Sequence, residues 1–118
     1  MRRAPLSVVA GALLACGLSS ESDYVEAVVA HVAKGLPSAC CYTRTGTVGS
    51  DCITNARTIC GFVEGAQVTS QKVERFGENS GAMVTLEMSG PKGTGVCRYQ
   101  VLREHGKLIV DGGNCARH

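Results

Sequence analysis

The cysteines of this chain constrain its fold more than any other feature of the sequence. There are seven in 118 residues, and an odd number would leave one thiol without a partner in an oxidising compartment. If Cys16 serves another purpose, the remaining six can form three disulfides. These six are Cys40, Cys41, Cys52, Cys60, Cys97 and Cys115. We therefore predict a small domain in which disulfides supplement a modest core.

The N-terminal segment indicates what Cys16 does. Arg2 and Arg3 precede an uncharged run over residues 6–15, which is the layout of a secretory signal and is shorter than the roughly 20 apolar residues of a spanning helix. The residues Leu13-Leu14-Ala15-Cys16 resemble the lipobox of bacterial lipoproteins, whose cysteine is lipidated and becomes the first residue of the mature chain. We predict a signal peptide over 1–15, lipidation at Cys16, a tether over 16–21 and one domain over 22–118. A plain secreted protein is the alternative.

Charge and composition narrow the function further. Two of the twelve basic residues, Arg2 and Arg3, lie in the leader, which leaves ten basic and ten acidic residues in the mature part. This balance lacks the basic footprint of nucleic-acid binding, so we expect no nucleic-acid partner. The cysteines and histidines show no metal-ligand spacing such as C-x-x-C, so we expect no metal and no cofactor. Aromatic residues make up only 4% of the chain, which predicts a core of small aliphatic side chains.

The first half of the domain reads as helical. Valines at 25, 28, 29 and 32 form one apolar stripe at helical spacing, and Gly35 follows as a stop, which predicts a helix over about 22–34. The segment 37–42 is expected to make one or two helical turns. A further helix should begin at Ser50 or Asp51, because these side chains are suitable N-caps. Its expected buried face is Cys52, Ala56, Ile59, Cys60 and Val63.

After Gly65 the apolar period changes from 3.6 to 2, which predicts strands. We expect strands over about 67–76, 82–88, 96–104 and 107–111, with a mobile loop over 89–95. His105-Gly106 fits a two-residue hairpin turn. Helices followed by an antiparallel meander predict an α+β fold with N-terminal helices packed on a curved antiparallel sheet of about four strands.

Disulfide pairing stays partly open at this stage. Cys52 and Cys60 lie on one predicted helix, about 12 Å apart at 1.5 Å per residue, which exceeds the roughly 7 Å that a disulfide tolerates. A bond between the adjacent Cys40 and Cys41 would strain the intervening peptide. We favour a scheme in which Cys97 and Cys115 both reach back to helical cysteines, because a regular His105-Gly106 hairpin places Cys97 opposite Asn114. A bulge at Gly112-Gly113 would instead allow these two to pair.

The order of elements and the final hairpin, residues 103–112, resemble the NTF2-like superfamily and its small exported lipoprotein members. The hairpin reads Arg103-Glu104-His105-Gly106-Lys107-Leu108-Ile109-Val110-Asp111-Gly112; Leu108 stands where a Trp is common in that group. The resemblance implies a cone-shaped half-barrel (NTF2-like or cystatin-like) with an open mouth. Some members place acid–base residues in the cone, and others only bind ligands or proteins.

An acid–base site would need a carboxylate in an apolar cavity beside a Tyr or His. The candidates are Asp51, Asp111, Tyr24, Tyr42, Tyr99 and His31. Four of them have simpler structural roles: a helix cap for Asp51, a turn for Asp111, core for Tyr99 and the flank of the buried stripe for His31. We assign no catalytic residue and predict a lipid-anchored cell-envelope protein that binds an envelope protein or a small apolar ligand. A small isomerase- or cyclase-type enzyme of NTF2-like fold at the cell surface is the alternative.

Overall fold

The fold was analysed in a computed structural model, which describes residues 20–35, 38–44, 50–77 and 79–118. The predicted signal peptide, the lipidation site Cys16 and the tether as far as residue 19 lie outside these residues. Described helices comprise α1 (Glu21–Val32), α2 (Ser50–Cys60) and a 3₁₀ turn (Gly61–Val63). None of them is long and apolar enough to cross a membrane.

Helix α1 begins with a capping box. The Ser20 hydroxyl accepts a hydrogen bond from the Asp23 amide at 3.2 Å, and the Asp23 carboxylate accepts one from the Ser20 amide at 2.9 Å. This reciprocal pair satisfies two amides that a helix start leaves open. Val25, Val28 and Val32 are buried as predicted, but Val29 is 37% exposed. The stripe is therefore narrower than predicted on that side.

Helix α2 is only lightly buried. Ala56 and Cys60 are buried and Cys52 is half-buried, whereas Ile59, predicted on the buried face, is 37% exposed. Val63 is buried in the 3₁₀ turn that follows. Disulfides from Cys52 and Cys60 add covalent links from α2 to Cys41 and Cys40.

The described strands form one antiparallel sheet. They are β1 (Tyr42–Thr43), β2 (Gln67–Gly77), β3 (Gly81–Gly90), β4 (Gly93–Glu104) and β5 (Lys107–Arg117). Their order across the sheet is β1-β5-β4-β3-β2. Alternate residues of the central strands, Ala82, Val84, Leu86 and Met88 in β3 and Cys97, Tyr99 and Val101 in β4, are buried as predicted. Helix α1 contacts all four long strands.

The predicted fold class is wrong. The sheet has five strands instead of about four, strands hold about half of the described residues, and the described α-helices are only two and short. The segment 37–42 was predicted to be helical, but Tyr42 begins β1, which pairs with Gly113 and Gly112 of β5. A strand therefore lies between the two helices along the chain. The helices-first order, and the four-stranded cone derived from it, do not hold.

The predicted mobile loop over 89–95 is also wrong. β3 runs on to Gly90, β4 starts at Gly93, and these two residues pair across a turn made by Pro91 and Lys92. The glycines here serve close approach: a Cβ on Gly95 would lie 2.4 Å from both the Phe62 ring and the Ala116 carbonyl oxygen. Glycine at such a position lets backbone and ring pack together.

The His105-Gly106 turn is confirmed, with Glu104 paired to Lys107 and φ values of 53° and 77°, as a type I′ turn requires. One register shift follows: Gln100 pairs with Gly112, whereas Val101 pairs with Val110. Asp111 is thus the extra residue of a bulge. The bulge moves Cys115 by one position along β5, so that it lies directly opposite Cys97.

The six cysteines form three disulfides, as their number predicted, but the favoured pairing is wrong. Cys97 bonds to Cys115 between β4 and β5, and Cys40–Cys60 and Cys41–Cys52 join the segment after α1 to α2. The cause is the bulge at Asp111, one residue before the Gly112-Gly113 pair that we considered. No disulfide among the described residues links the helices to the four long strands.

Candidate functional site

Three of the six acid–base candidates meet beneath α1. His31, in the last turn of α1, is 5% exposed. The centroid of its ring lies 4.2 Å from that of Tyr42 on β1 and 5.3 Å from that of Tyr99 on β4, both in edge-on arrangements. We call these three residues the aromatic cluster. His31 is therefore more deeply buried than its predicted position at the flank of the stripe.

Backbone carbonyls bind a polar atom of His31 and of Tyr99. The Nε2 atom of His31 lies 3.0 Å from the Ser38 carbonyl oxygen, so Nε2 carries a proton and donates it. The Tyr99 hydroxyl donates to the Ala39 carbonyl and lies 3.0 Å from that of Ser38. Both side chains thus tie the segment that carries Cys40 and Cys41 to the core.

Burial sets the protonation of both groups. It lowers the pKa of His31, and the positive charge of Lys34 acts in the same direction. It raises the pKa of Tyr99 well above its ordinary value, because removal from water disfavours the phenolate. The neutral imidazole retains Nδ1 as an acceptor, while the single Tyr99 proton is engaged with the backbone. The cluster is suited to holding structure and to accepting one hydrogen bond.

The other three candidates are located elsewhere. Asp51 is exposed in the first turn of α2, and Tyr24 is buried with the Arg75 guanidinium carbon 5.3 Å from its ring centroid. Asp111 lies in the bulge, with a carboxylate oxygen 3.1 Å from Nε of Arg44.

The same Arg44 guanidinium makes two hydrogen bonds to Glu104, at 3.0 and 3.1 Å. It holds the pKa of Glu104 below its ordinary value through these bonds. Asp111 therefore belongs to an ion-pair network that fastens β1 to the final hairpin. No pattern in the sequence around Arg44 predicted its ion pairs with Glu104 and Asp111.

Two grooves flank α1. One, of about 320 Å³, borders the aromatic cluster and is lined by Ala27, Ala30, His31, Lys34, Tyr42 and residues 108–110. The other, of about 270 Å³, lies on the opposite side and is lined mainly by apolar groups: Val29, Val32, Ala33, Val63, Ala66 and Met88, with Gly35, Glu64 and Gly65. We call the second the valine groove. Val29 is exposed because it lines this groove, so the valine stripe predicted on α1 is not wholly buried.

The sulfurs of Cys40, Cys41 and Cys52 lie within 4.8 Å of one another, a spacing that three metal ligands could have. All three are bonded in the Cys40–Cys60 and Cys41–Cys52 disulfides. Since metal binding requires the thiolate, the oxidised cluster acts as a covalent brace for α2.

No family model, no curated protein and no solved structure matches this chain.

Proposed function

We propose that this protein is an exported, lipid-anchored component of the cell envelope that acts as a binding or protein-interaction module. The observation that carries the proposal is the use of cysteine: six of the seven are paired in three disulfides. Disulfides of this kind persist outside the reducing cytosol. They leave Cys16, at the end of the apolar leader, as the cysteine available for lipid.

The geometry around α1 supports binding over catalysis. The Nε2 atom of His31 and the Tyr99 hydroxyl are committed to backbone carbonyls, and Asp111 is engaged by Arg44. The valine groove, in contrast, is lined mainly by apolar side chains, including Val29 and Val32 of α1. Apolar walls with few polar groups are typical of sites for small apolar ligands, and we assign that class to this groove.

Membrane attachment is tested by replacing the proposed lipidation site. Stable anchoring needs two or more acyl chains, since each buried methylene contributes about 0.8 kcal/mol. Cys16→Ser should therefore release the protein into the soluble fraction or block its processing, and should abolish incorporation of a labelled fatty acid. A Cys16→Ser protein that is processed and remains with membranes as before would rule out the lipid anchor.

Ligand binding is tested with a naphthylamine dye that fluoresces in apolar surroundings. Val29→Lys places a charge in the valine groove and removes apolar area equivalent to about 1.5 kcal/mol, or about tenfold in affinity. Ile53→Lys on α2, where Ile53 is 49% exposed and outside the groove, is the matched control. Loss of affinity in the Val29 variant alone supports the proposal; equal affinity in both variants and the unmodified protein contradicts it.

A further inference from the structure

Strand β2 is the exposed edge of the sheet. It lies at one end of the strand order, and no strand within the described residues pairs with its outer side. All of its eleven residues are exposed except Val68 and Val73, which are half-buried. It contains no proline, and its pairing with β3 is regular from Ser70 to Arg75. A long edge of this kind presents a row of backbone groups that can pair with another strand.

The charges on this edge are arranged symmetrically about Val73. Val73 pairs with the buried Val84 and shares its face of the sheet, so Lys72 and Glu74 lie on the opposite face. Lys72 Nζ lies 3.7 Å from Glu74 Oε2, and these side chains are 69% and 52% exposed. Val73 is thus preceded by a positive charge and followed by a negative charge.

We propose that β2 pairs antiparallel with β2 of a second copy of this chain, about a two-fold axis at Val73. In this register Lys72 of each copy lies opposite Glu74 of the other, and the two Val73 residues are neighbours. Because a two-fold axis generates each contact twice, two ion pairs between Lys72 and Glu74 form between the copies. Opposite charges placed directly across two strands stabilise the pairing, whereas like charges weaken it.

Neighbouring registers are disfavoured by the same charges. A two-fold axis perpendicular to the sheet leaves every side chain on the same face of the sheet. Because side chains alternate between the two faces along a strand, the axis must lie between the two copies of one residue, not between two successive residues. An axis at Lys72 would oppose two lysines, and an axis at Glu74 would oppose two glutamates. Only the axis at Val73 places the lysine opposite the glutamate. These charges, which would block indiscriminate edge pairing, therefore favour the axis at Val73 over the axes at its two neighbours.

In the dimer, the long edge strand β2 of each sheet is paired with β2 of the other copy. The opposite edge in each copy is β1, which spans only Tyr42 and Thr43 and pairs with β5 only at Gly113 and Gly112. Very short edge strands are poor templates for further pairing. Because the two-fold contact occupies β2 in both copies, pairing through β2 closes at two copies, and their described strands form one continuous sheet of ten.

Sedimentation velocity of the purified full chain in non-ionic detergent, over a wide concentration range, tests this inference. The unmodified protein should show a monomer–dimer equilibrium. Lys72→Glu replaces two attractions with two repulsions and should raise the dimer dissociation constant about tenfold or more. The double variant Lys72→Glu with Glu74→Lys restores opposite charges across the axis and should return the dissociation constant to within about threefold of the original.

Arg98→Glu is the matched control, because Arg98 is an exposed residue of β4, two strands in from the edge. It makes the same charge change and should leave the dimer intact. Glu74→Lys alone should weaken the dimer as Lys72→Glu does, which covers the case in which one variant fails to fold. A protein that stays monomeric at every concentration overturns the proposal. A dimer that the single reversals do not weaken, or that the double reversal does not restore, also overturns it.

Discussion

The structure predicts that the Cys40–Cys60 disulfide holds α2 in place. Helix α2 buries only Ala56 and Cys60 fully, so the covalent link from Cys60 supplies much of its attachment. The Sγ atom of Cys60 also lies 3.2 Å from the carbonyl oxygen of Cys115 in β5. Replacing both cysteines by alanine should therefore destabilise the whole domain and loosen α2 in particular.

The size of the effect follows from the loop that the bridge closes. The two cysteines are 20 residues apart, and closing such a loop in the unfolded chain corresponds to about 3 kcal/mol in the chain-entropy account of disulfides. That is a large part of the about 5–15 kcal/mol that stabilises a typical domain. Cys41–Cys52 closes a shorter loop of 11 residues, so its removal should cost slightly less.

Equilibrium unfolding in urea measures the free-energy change, and amide exchange locates it. In the doubly substituted Cys40→Ala, Cys60→Ala protein, the free energy of unfolding should fall by about 3 kcal/mol. Amides of α2 should exchange faster, while those of β3 and β4 open only with global unfolding. A fall below about 1 kcal/mol, with unchanged exchange in α2, would show that packing alone holds the helix and that this reasoning is wrong.

Three further predictions follow from single residues. Ser20→Ala removes half of the capping box and should lower the free energy of unfolding by about 1 kcal/mol in urea titrations; an unchanged midpoint would contradict the cap. Because burial lowers the pKa of His31 in the folded chain, the unfolded chain binds a proton more readily. Stability should thus fall as the pH drops below about 6.5, and His31→Gln should reduce this decline; identical pH profiles would refute it. Gly113→Ala would place a Cβ 2.2 Å from the Arg98 carbonyl oxygen at a φ of +152° and should cost about 2–4 kcal/mol in thermal or urea unfolding, whereas a neutral effect would show the β4–β5 register to be different.

The parts of the fold that could be predicted from the sequence are those in which one local signal is strong. Ala82, Val84, Leu86 and Met88 alternate strictly with less buried residues, and they lie in the core of β3. The His105-Gly106 turn is equally local, because both residues tolerate positive φ and the flanking strands have apolar positions in register.

The errors arise where a residue acts through distant partners. Glycines at 90, 93 and 95 predict a loop when read locally, but they allow close packing against Ala66, Arg117 and Phe62. Tyr42–Thr43 is too short to show a period, and it is a strand through its pairing with the distant β5, next to the ion pairs of Arg44 with Glu104 and Asp111. The bulge at Asp111 has no local signature beyond two following glycines, yet it decides the disulfide pairing.

In the candidate site, too, local features could be predicted and those that depend on distant residues could not. The residue types were predictable, since His31, Tyr42 and Tyr99 were all among the candidates, but their meeting depends on β1 joining the sheet beside β5. The hydrogen bonds of His31 and Tyr99 to the carbonyls of Ser38 and Ala39 could not be read from the sequence, because their acceptors are backbone atoms of an irregular segment.

Disulfide mapping of the oxidised full chain tests the central claim most directly. Because Cys40 and Cys41 are adjacent, the two bridges must be separated by stepwise partial reduction and alkylation before mass spectrometry of the peptides. The account predicts Cys40–Cys60, Cys41–Cys52 and Cys97–Cys115, with Cys16 outside every bridge. A peptide that joins Cys97 or Cys115 to any of the four earlier cysteines in the domain would contradict the β4–β5 register and the bracing of α2 together.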